Sequence, residues 1–81
     1  MISAVLLVNT EVGEESQVLK DVKKVEGVEE AHALWGVYDL MVKIKAHSID
    51  RLKEIVKLRL RQIAGVSNVL TLMIVEGTGA S

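Results

Sequence analysis

The chain has 81 residues, a length that supports one domain around a single hydrophobic core. Ten Lys and Arg residues are balanced by eleven Asp and Glu residues, so the net charge of −1 gives no basic surface for nucleic acid. The absence of Cys excludes disulfides and thiolate ligands, and no stretch resembles a signal peptide or a membrane span. We therefore expect a cytoplasmic protein.

The first part of the chain predicts a strand, a helix and a second strand. Apolar residues alternate along residues 2–9, which is the period-two pattern of a strand. A helix is predicted over 14–26, because apolar residues recur there at helical spacing between two glutamates and two lysines placed as the helix dipole favours. Gly27 is expected to cap this helix, and residues 28–35 are expected to form the next strand.

A hairpin turn is predicted at residues 36–39, Gly-Val-Tyr-Asp, ahead of an alternating strand at 40–46. The central Val and Tyr would both need positive φ in a two-residue turn, so we favour a four-residue loop closed by pairing of Trp35 with Leu40. The glycine then supplies unusual backbone geometry, and the aspartate accepts local N–H bonds. Alternatively, the phenol and the carboxylate project together as parts of a small-molecule site.

The second part of the chain repeats the first. Ser48 is a predicted N-cap, Gly65 ends the helix that follows, and residues 66–75 form the last strand. The step from helix to strand is Gly-Val in both parts. The buried stripe of this second helix is predicted to comprise Ile49, Leu52, Val56, Leu60 and Ile63.

This order predicts an α+β, ferredoxin-like βαββαβ fold. Right-handed crossovers place both helices on one face of a four-stranded antiparallel sheet. Residues 1–76 would form the domain, and residues 77–81, which are small and polar, a flexible tail.

The opposite face of the sheet is expected to carry an apolar patch, since no helix remains to cover it. Such a patch is larger than soluble monomers usually expose, and a second copy packed sheet to sheet would cover it. With Trp35 paired to Leu40, the alanines of the second strand face the helices. The predicted patch then contains Val5, Leu7, Leu34, Met41, Val69, Met73 and Val75.

Residues with catalytic or ligand-binding chemistry are scattered in this sequence. The two histidines are too far apart for a local metal motif, and the glycines occur singly rather than in a phosphate loop. We expect no metal and no cofactor. A small dimeric enzyme, such as an oxygenase or isomerase, is an alternative supported by fold analogy alone; its acids and bases would be His32, Tyr38, Asp39 and His47.

The second helix carries a cluster of basic residues. Glu54 lies among them and no aromatic residue does, which favours a solvated helix face over a nucleic-acid surface. Leu58 is expected to point outward, opposite the buried stripe. The cluster comprises Arg51, Lys53, Lys57, Arg59 and Arg61.

The chain resembles the effector domain of Lrp/AsnC transcription regulators, also called the RAM domain. Three segments carry the resemblance: Gly27-Val28, the Trp-Gly-Val-Tyr-Asp-Leu run at 35–40, and Ala64-Gly65-Val66. The resemblance extends from Ser3 to about residue 74. It implies dimers with facing sheets, a higher assembly such as a ring of four dimers, and an amino-acid effector bound between dimers.

The resemblance places the effector near the turn and the start of the last strand. Gly36, Tyr38 and Asp39 match the turn motif by position, and Thr71 matches the second residue of the family's Thr-x-Thr pair. The chain departs from the pattern at two positions. Val69 replaces the first Thr, and Asn68 stands where a basic residue is common. The implied ligand-binding residues are Gly36, Tyr38, Asp39, Asn68 and Thr71.

In the regulators that it resembles, a helix-turn-helix precedes this domain, whereas here Met1 leads directly into the first strand. We therefore expect a stand-alone amino-acid-sensing module that is not an enzyme and does not bind DNA itself. It would assemble with itself or with full-length Lrp/AsnC regulators. An ACT-like regulatory domain is a further alternative, with the same fold and ligand class but without the Gly-x-Tyr-Asp turn.

Overall fold

The structure, a computed structural model, describes residues 1–74, so that Val75 and the expected tail at 77–81 lie outside the described residues. Four strands form one sheet in the order β2-β3-β1-β4, with antiparallel neighbours throughout. The predicted ferredoxin-like order of elements is confirmed. The elements are β1 (Ile2–Thr10), α1 (Glu15–Val22), β2 (Val28–Ala33), β3 (Leu40–Ala46), α2 (Ile49–Ile55), a π-helical turn continuing α2 (Val56–Leu60), and β4 (Val66–Ile74).

The core lies between the helices and one face of the sheet. Every second residue of the two central strands is buried there, because side chains alternate across a strand. Fully burying a valine, leucine or isoleucine side chain stabilises the fold by about 1.5–3 kcal/mol. The fully buried residues are Ala4, Leu6, Val8, Val18, Val22, Leu40, Val42, Ile44 and Leu60.

The second helix begins as predicted and runs differently near its end. The Ser48 hydroxyl accepts a hydrogen bond from the Arg51 backbone N–H at 3.1 Å, which is an N-cap. Ile49, the first residue of the expected stripe, is largely exposed, while Ile55 is buried in addition. The stripe is otherwise confirmed, with Leu52, Val56 and Leu60 buried and Ile63 partly buried, and Leu58 points outward.

The first helix ends earlier than predicted. It stops at Val22 rather than residue 26, because the Val25 N–H bonds to the Val22 carbonyl at 3.0 Å and tightens the chain into a turn. Gly27 is therefore not the helix cap. It lies in the following turn at φ +93°.

The internal repeat is visible in the two turns that lead from helix to strand. Gly27 and Gly65 adopt φ of +93° and +95°, a conformation that glycine accepts without strain. The Gly27 carbonyl accepts a bond from the Lys45 N–H at 2.9 Å, and the Gly65 carbonyl accepts one from the Glu11 N–H at 2.8 Å. The first turn is thus tied to β3 and the second to the residue that follows β1, so each turn is bonded to the other half of the chain.

The prediction for the faces of β4 is wrong. Pairing with β1 places Val69 opposite Val8, Thr71 opposite Leu6 and Met73 opposite Ala4. The β1 partners are buried under the helices, so these three β4 residues also lie on the helix side. The opposite face instead carries Leu70, Leu72 and Ile74.

The hairpin register also differs from the prediction. Ala33, not Trp35, pairs with Leu40, and the Leu34 N–H donates to the Asp39 carbonyl at 2.8 Å. The loop still has four residues, now 35–38, but it begins one residue earlier because Asp39 extends β3 at the end of the sheet. The Asp39 N–H donates to the Val8 carbonyl at 2.9 Å.

The face of the sheet that no helix covers is called the open face below. It is apolar along β1 and β4, where Leu72 is 46% exposed. Two lysines of β3, Lys43 and Lys45, flank the apolar residues. Its apolar residues are Val5, Leu7, Leu34, Met41, Leu70, Leu72 and Ile74. Within residues 1–74 no helix has the length and apolar character needed to cross a membrane.

Candidate functional site

The loop between β2 and β3 is held to the end of β1 by the Asp39 side chain. One carboxylate oxygen, Oδ2, accepts the Thr10 backbone N–H at 2.7 Å and the Thr10 hydroxyl at 3.3 Å. The Asp39 backbone bonds on both sides, to Val8 and to Leu34. Asp39 therefore caps the end of β1. The turn was predicted to use the Asp39 carboxylate for local N–H bonds, whereas the N–H that it accepts belongs to Thr10, 29 residues away in the chain.

A second contact continues from this loop toward β4. The Asn9 side-chain amide donates to the Val37 carbonyl at 2.9 Å. Asn9 also lies opposite Asn68 in the pairing of β1 with β4. The end of β1 thus connects the hairpin loop with the start of the last strand.

The structure brings most of the predicted ligand-binding residues to one end of the sheet. Gly36, Tyr38 and Asp39 lie in or beside the loop, and Asn68 lies across β1 from them. Thr71 is separate, because it lies on the helix side opposite Leu6. We call the first four residues, with Asn9 and Thr10, the turn site.

Sequence reasoning missed Asn9 and Thr10. They are the first polar residues after the apolar run of β1, which is a weak signal for the end of a strand. Their partners lie 28 and 29 residues further along the chain. Nothing local in the sequence indicates those partners.

The turn site combines a fixed acceptor with exposed apolar side chains. Within residues 1–74 the second carboxylate oxygen of Asp39, Oδ1, has no hydrogen-bond partner, so it can accept a bond from a ligand. Trp35 is fully exposed and Val37 is 86% exposed at the tip of the loop. Gly36 adopts φ +152°, which other residues rarely adopt, so this tip depends on glycine.

The residues of the enzyme alternative do not come together in this chain. His32 lies on the open face, with its Nε2 2.8 Å from Glu30 Oε1. His47 follows Ala46, which pairs with Ile2 at the end of the sheet opposite Asp39. Six residues of strand separate the two ends, or about 20 Å. Among the described residues, no three His, Cys, Asp or Glu side chains are grouped so that they could hold a metal ion.

The charge at the start of α2 is neutralised locally. Arg51 pairs with Glu26 at 2.9 Å and with Glu54 at 3.1 Å. The hydrogen bond that Arg51 donates to Glu54, and then the charge of Glu26, raise the pKa of Arg51 above its usual value. All three side chains are exposed, so these pairs add little to stability.

The fold and the site together are an antiparallel βαββαβ sheet with a Gly-x-Tyr-Asp turn tied to the end of β1. Residues 3–78 match the family model described as the Lrp/AsnC ligand binding domain. The chain belongs to this family. The ACT-like alternative is thereby set aside.

Known proteins of similar sequence and structure agree with this assignment. The chain is 35% identical over 57 residues to an uncharacterized HTH-type transcriptional regulator of Pyrococcus abyssi, covering 70% of this chain and 38% of that protein. The crystal structure of FFRP-DM1 is 25% identical, with a TM-score of 0.89 over 93% of this chain and 100% of that one. The chain thus spans about two fifths of the curated regulator and the whole of FFRP-DM1.

A more distant protein shares the fold. A transcriptional regulator from Neisseria meningitidis, solved as its L-Met complex, is 17% identical. The match covers 93% of this chain and 50% of that one, with a TM-score of 0.83.

Proposed function

We propose that this chain binds a free amino acid at the turn site and thereby regulates transcription regulators of its own family. The family assignment already makes it a regulatory effector-binding domain. The observation that carries the finer proposal is the geometry of Asp39. One carboxylate oxygen fixes the loop to Thr10, and the other is left to accept a bond.

The chemistry of the turn site suits an amino acid. An amino acid offers an ammonium group, and a charge-assisted bond from it to Asp39 would be about twice as strong as a neutral one. Asn68 is exposed beside the loop and can donate to a carboxylate from its side-chain amide. The Neisseria regulator, whose domain has this fold, was solved with L-Met, which supports an amino acid as the ligand class.

We further propose that the chain dimerises through its open face. Leu70, Leu72 and Ile74 are each 40–47% exposed there, next to Val5 and Leu7 of β1. A contiguous apolar surface of this kind is typical of an interface. A two-fold dimer would cover it with the same surface of a second copy.

Assembly of dimers into a larger ring would involve the turn site. Trp35 and Val37 extend into solvent from the loop of a single chain. Exposed aromatic side chains of this kind are typical anchors of protein interfaces. A neighbouring dimer that covers Trp35 would also close the turn site around its ligand.

The partner would be a related regulator. The matched regulator of Pyrococcus abyssi is of the HTH type, and the chain corresponds to 38% of its length. Since the related regulator has a domain of this kind, the open face of this chain could pair with it in place of a second copy. We propose a non-catalytic role because His32 and His47 lie far from each other and from a shared cleft.

A thermal-shift screen with the twenty amino acids tests the proposed function. A ligand at one hundred times its Kd adds about 2.7 kcal/mol to the free energy of unfolding, so the cognate amino acid should raise Tm by several degrees. The same screen with Asp39→Asn is the control, since that variant keeps a neutral acceptor but lacks the charge. If no amino acid at millimolar concentration raises Tm, the proposal fails.

Trp35 offers a direct test of assembly, since it is the only tryptophan. Its fluorescence emission should shift to shorter wavelength as the protein concentration rises and a neighbouring dimer covers the loop. Emission that stays at the wavelength of a solvated indole, while light scattering reports a ring, would contradict burial of the loop in the assembly.

A further inference from the structure

A groove on the helix side of the molecule lies apart from the turn site. It runs between the outer edge of β4 and the second helix, and its volume is about 560 Å³. Met73 in the groove pairs with Ala4, whereas Asp39 binds Thr10 at the other end of β1, about 20 Å away. The groove is lined by Leu52, Lys53, Val56, Lys57, Arg61, Thr71 and Met73.

The floor and the rim of the groove differ in chemistry. Leu52 and Val56 are buried at the floor, and Met73 extends it along β4. Two lysines, Lys53 and Lys57, stand four residues apart, so they project from the same side of the helix. The groove is therefore amphipathic, with an apolar floor beneath a positive rim.

The positive charge of the rim is not neutralised within residues 1–74. The ion pairs there involve His32, Lys45 and Arg51, and neither rim lysine takes part in one. At one end of the groove the Arg61 guanidinium donates to the Val69 carbonyl at 3.2 Å, and this partner is neutral rather than a carboxylate. By contrast, Arg51 at the start of the same helix forms ion pairs with two glutamates, Glu26 and Glu54.

The backbone beside the groove is a π-helical turn. The Arg61 N–H bonds to the Val56 carbonyl at 2.9 Å, five residues earlier. This turn holds Val56 in the floor while it places Arg61 against β4. Single π turns inside helices are rare and occur often at functional sites.

We propose that this groove binds a free aliphatic carboxylate. Its volume lies within the range of about 300–1,000 Å³ typical of small-molecule sites. The apolar floor would accept the hydrocarbon chain, and Lys57 with its neighbours would bind the carboxylate. An inorganic anion would leave the floor unused, and a neutral alkane would leave the rim unpaired.

A titration with octanoate, followed by amide NMR of the full chain, tests this proposal. Shifts should be largest at Val56, Thr71 and Met73. Acetate supplies the charge without the chain, and octanol the chain without the charge. Octanoate should bind more tightly than either, with each buried methylene worth about a fourfold change in Kd relative to acetate.

A matched pair of variants separates the rim from general surface charge. Lys57→Gln should raise the Kd of octanoate about three- to tenfold, because it removes one charge-assisted contact. Arg59→Gln removes the same charge from the same helix, but Arg59 does not line the groove. The Kd of octanoate for this variant should therefore equal that of the wild type. Both residues are exposed, so neither change should prevent folding.

Three outcomes would overturn the proposal. Octanoate could bind no more tightly than acetate, which would indicate a charge effect alone. The two variants could weaken binding equally. Lastly, the same amides could shift with protein concentration in the absence of octanoate, which would assign the groove to a second copy of the chain. An amino acid that raises Tm would leave this test unaffected, because the turn site is elsewhere.

Discussion

The two faces of strand β1 are built from the same kinds of residue, but the helices of the chain cover only one of them. Leu6 and Leu7 are adjacent in β1, yet Leu6 is fully buried under the helices and Leu7 lies on the open face. Both faces of this strand are apolar, so hydrophobicity alone does not tell them apart. The helices of the same chain cover one face, whereas only another molecule can cover the open face.

The largest effect should come from the covered face. Leu6→Ala should lower the free energy of unfolding by about 2–5 kcal/mol, since it leaves a cavity in a fully packed core. Leu7→Ala removes the same atoms from the neighbouring position and should cost clearly less in dilute, monomeric protein. Urea denaturation measures both. Equal losses would mean that the two faces are equally packed within one chain.

The next effect concerns assembly. In the dimer that we propose, Leu72→Lys should cause separation into monomers, because an unpaired charge buried in an interface costs several kcal/mol. Val5→Asp, on the strand beside it, should do the same. Met73→Lys is the matched control, since Met73 is the next residue but lies on the helix side.

Sedimentation velocity on these variants gives the mass of each. Secondary structure should remain intact in all of them. Dissociation by Met73→Lys with a wild-type mass for Leu72→Lys would show that the interface does not use the open face.

A smaller loss of stability is expected from changes at Asp39, at the end of the sheet. Asp39→Ala should lower the free energy of unfolding by about 1–3 kcal/mol, because the Thr10 N–H loses its partner. If the free oxygen of Asp39 also binds an ammonium group, affinity for the amino acid should fall about ten- to a hundredfold. Thermal melts and calorimetric titration measure the two effects separately.

Asp39→Asn helps to interpret that result. It retains an acceptor for Thr10 and should lose less stability than Asp39→Ala, while its affinity for the amino acid still falls. A destabilised Asp39→Ala with unchanged affinity would leave this residue a purely structural cap.

The smallest effect is expected for DNA, which should not bind to the open face. Lys45 there pairs with Glu29 at 3.1 Å, and the whole chain has a net charge of −1. Few counterions would be released on contact with a duplex, so we expect no binding at physiological salt. A gel shift showing micromolar, salt-sensitive binding would make the open face a nucleic-acid surface instead.

The sequence predicted the fold where polar and apolar residues alternate. In β3, Lys43 and Lys45 separate the apolar residues, so both the strand and its buried face follow from the pattern. Ser48 and the two Gly-Val steps similarly mark where a helix begins and where each strand is entered.

The same reasoning failed for β4 because its alternation is absent. Residues 69–74 are apolar apart from Thr71, so either set of alternate residues could face the core. The register with β1 decides between them, and a shift in that register between Asn9 and Thr10 is invisible in the sequence.

The turn site was predicted in part. The motif at 36–39 located the loop to within one residue, since glycine and aspartate are typical turn residues. Its partner Thr10 has none, because the contact spans 29 residues and depends on the completed sheet. The loop can thus be predicted from its own residues, whereas the residues that bond to it from β1 cannot.

The strand order β2-β3-β1-β4 has a consequence for how the chain reaches its native state. Residues 1–33 contain two strands that are not neighbours, so during synthesis the first half has no sheet to form. β1 becomes a central strand only after both β3 and β4, made in the second half, have arrived on either side of it. Such non-local pairing slows folding, and it leaves one edge of the apolar β1 unpaired until β4 has also left the ribosome.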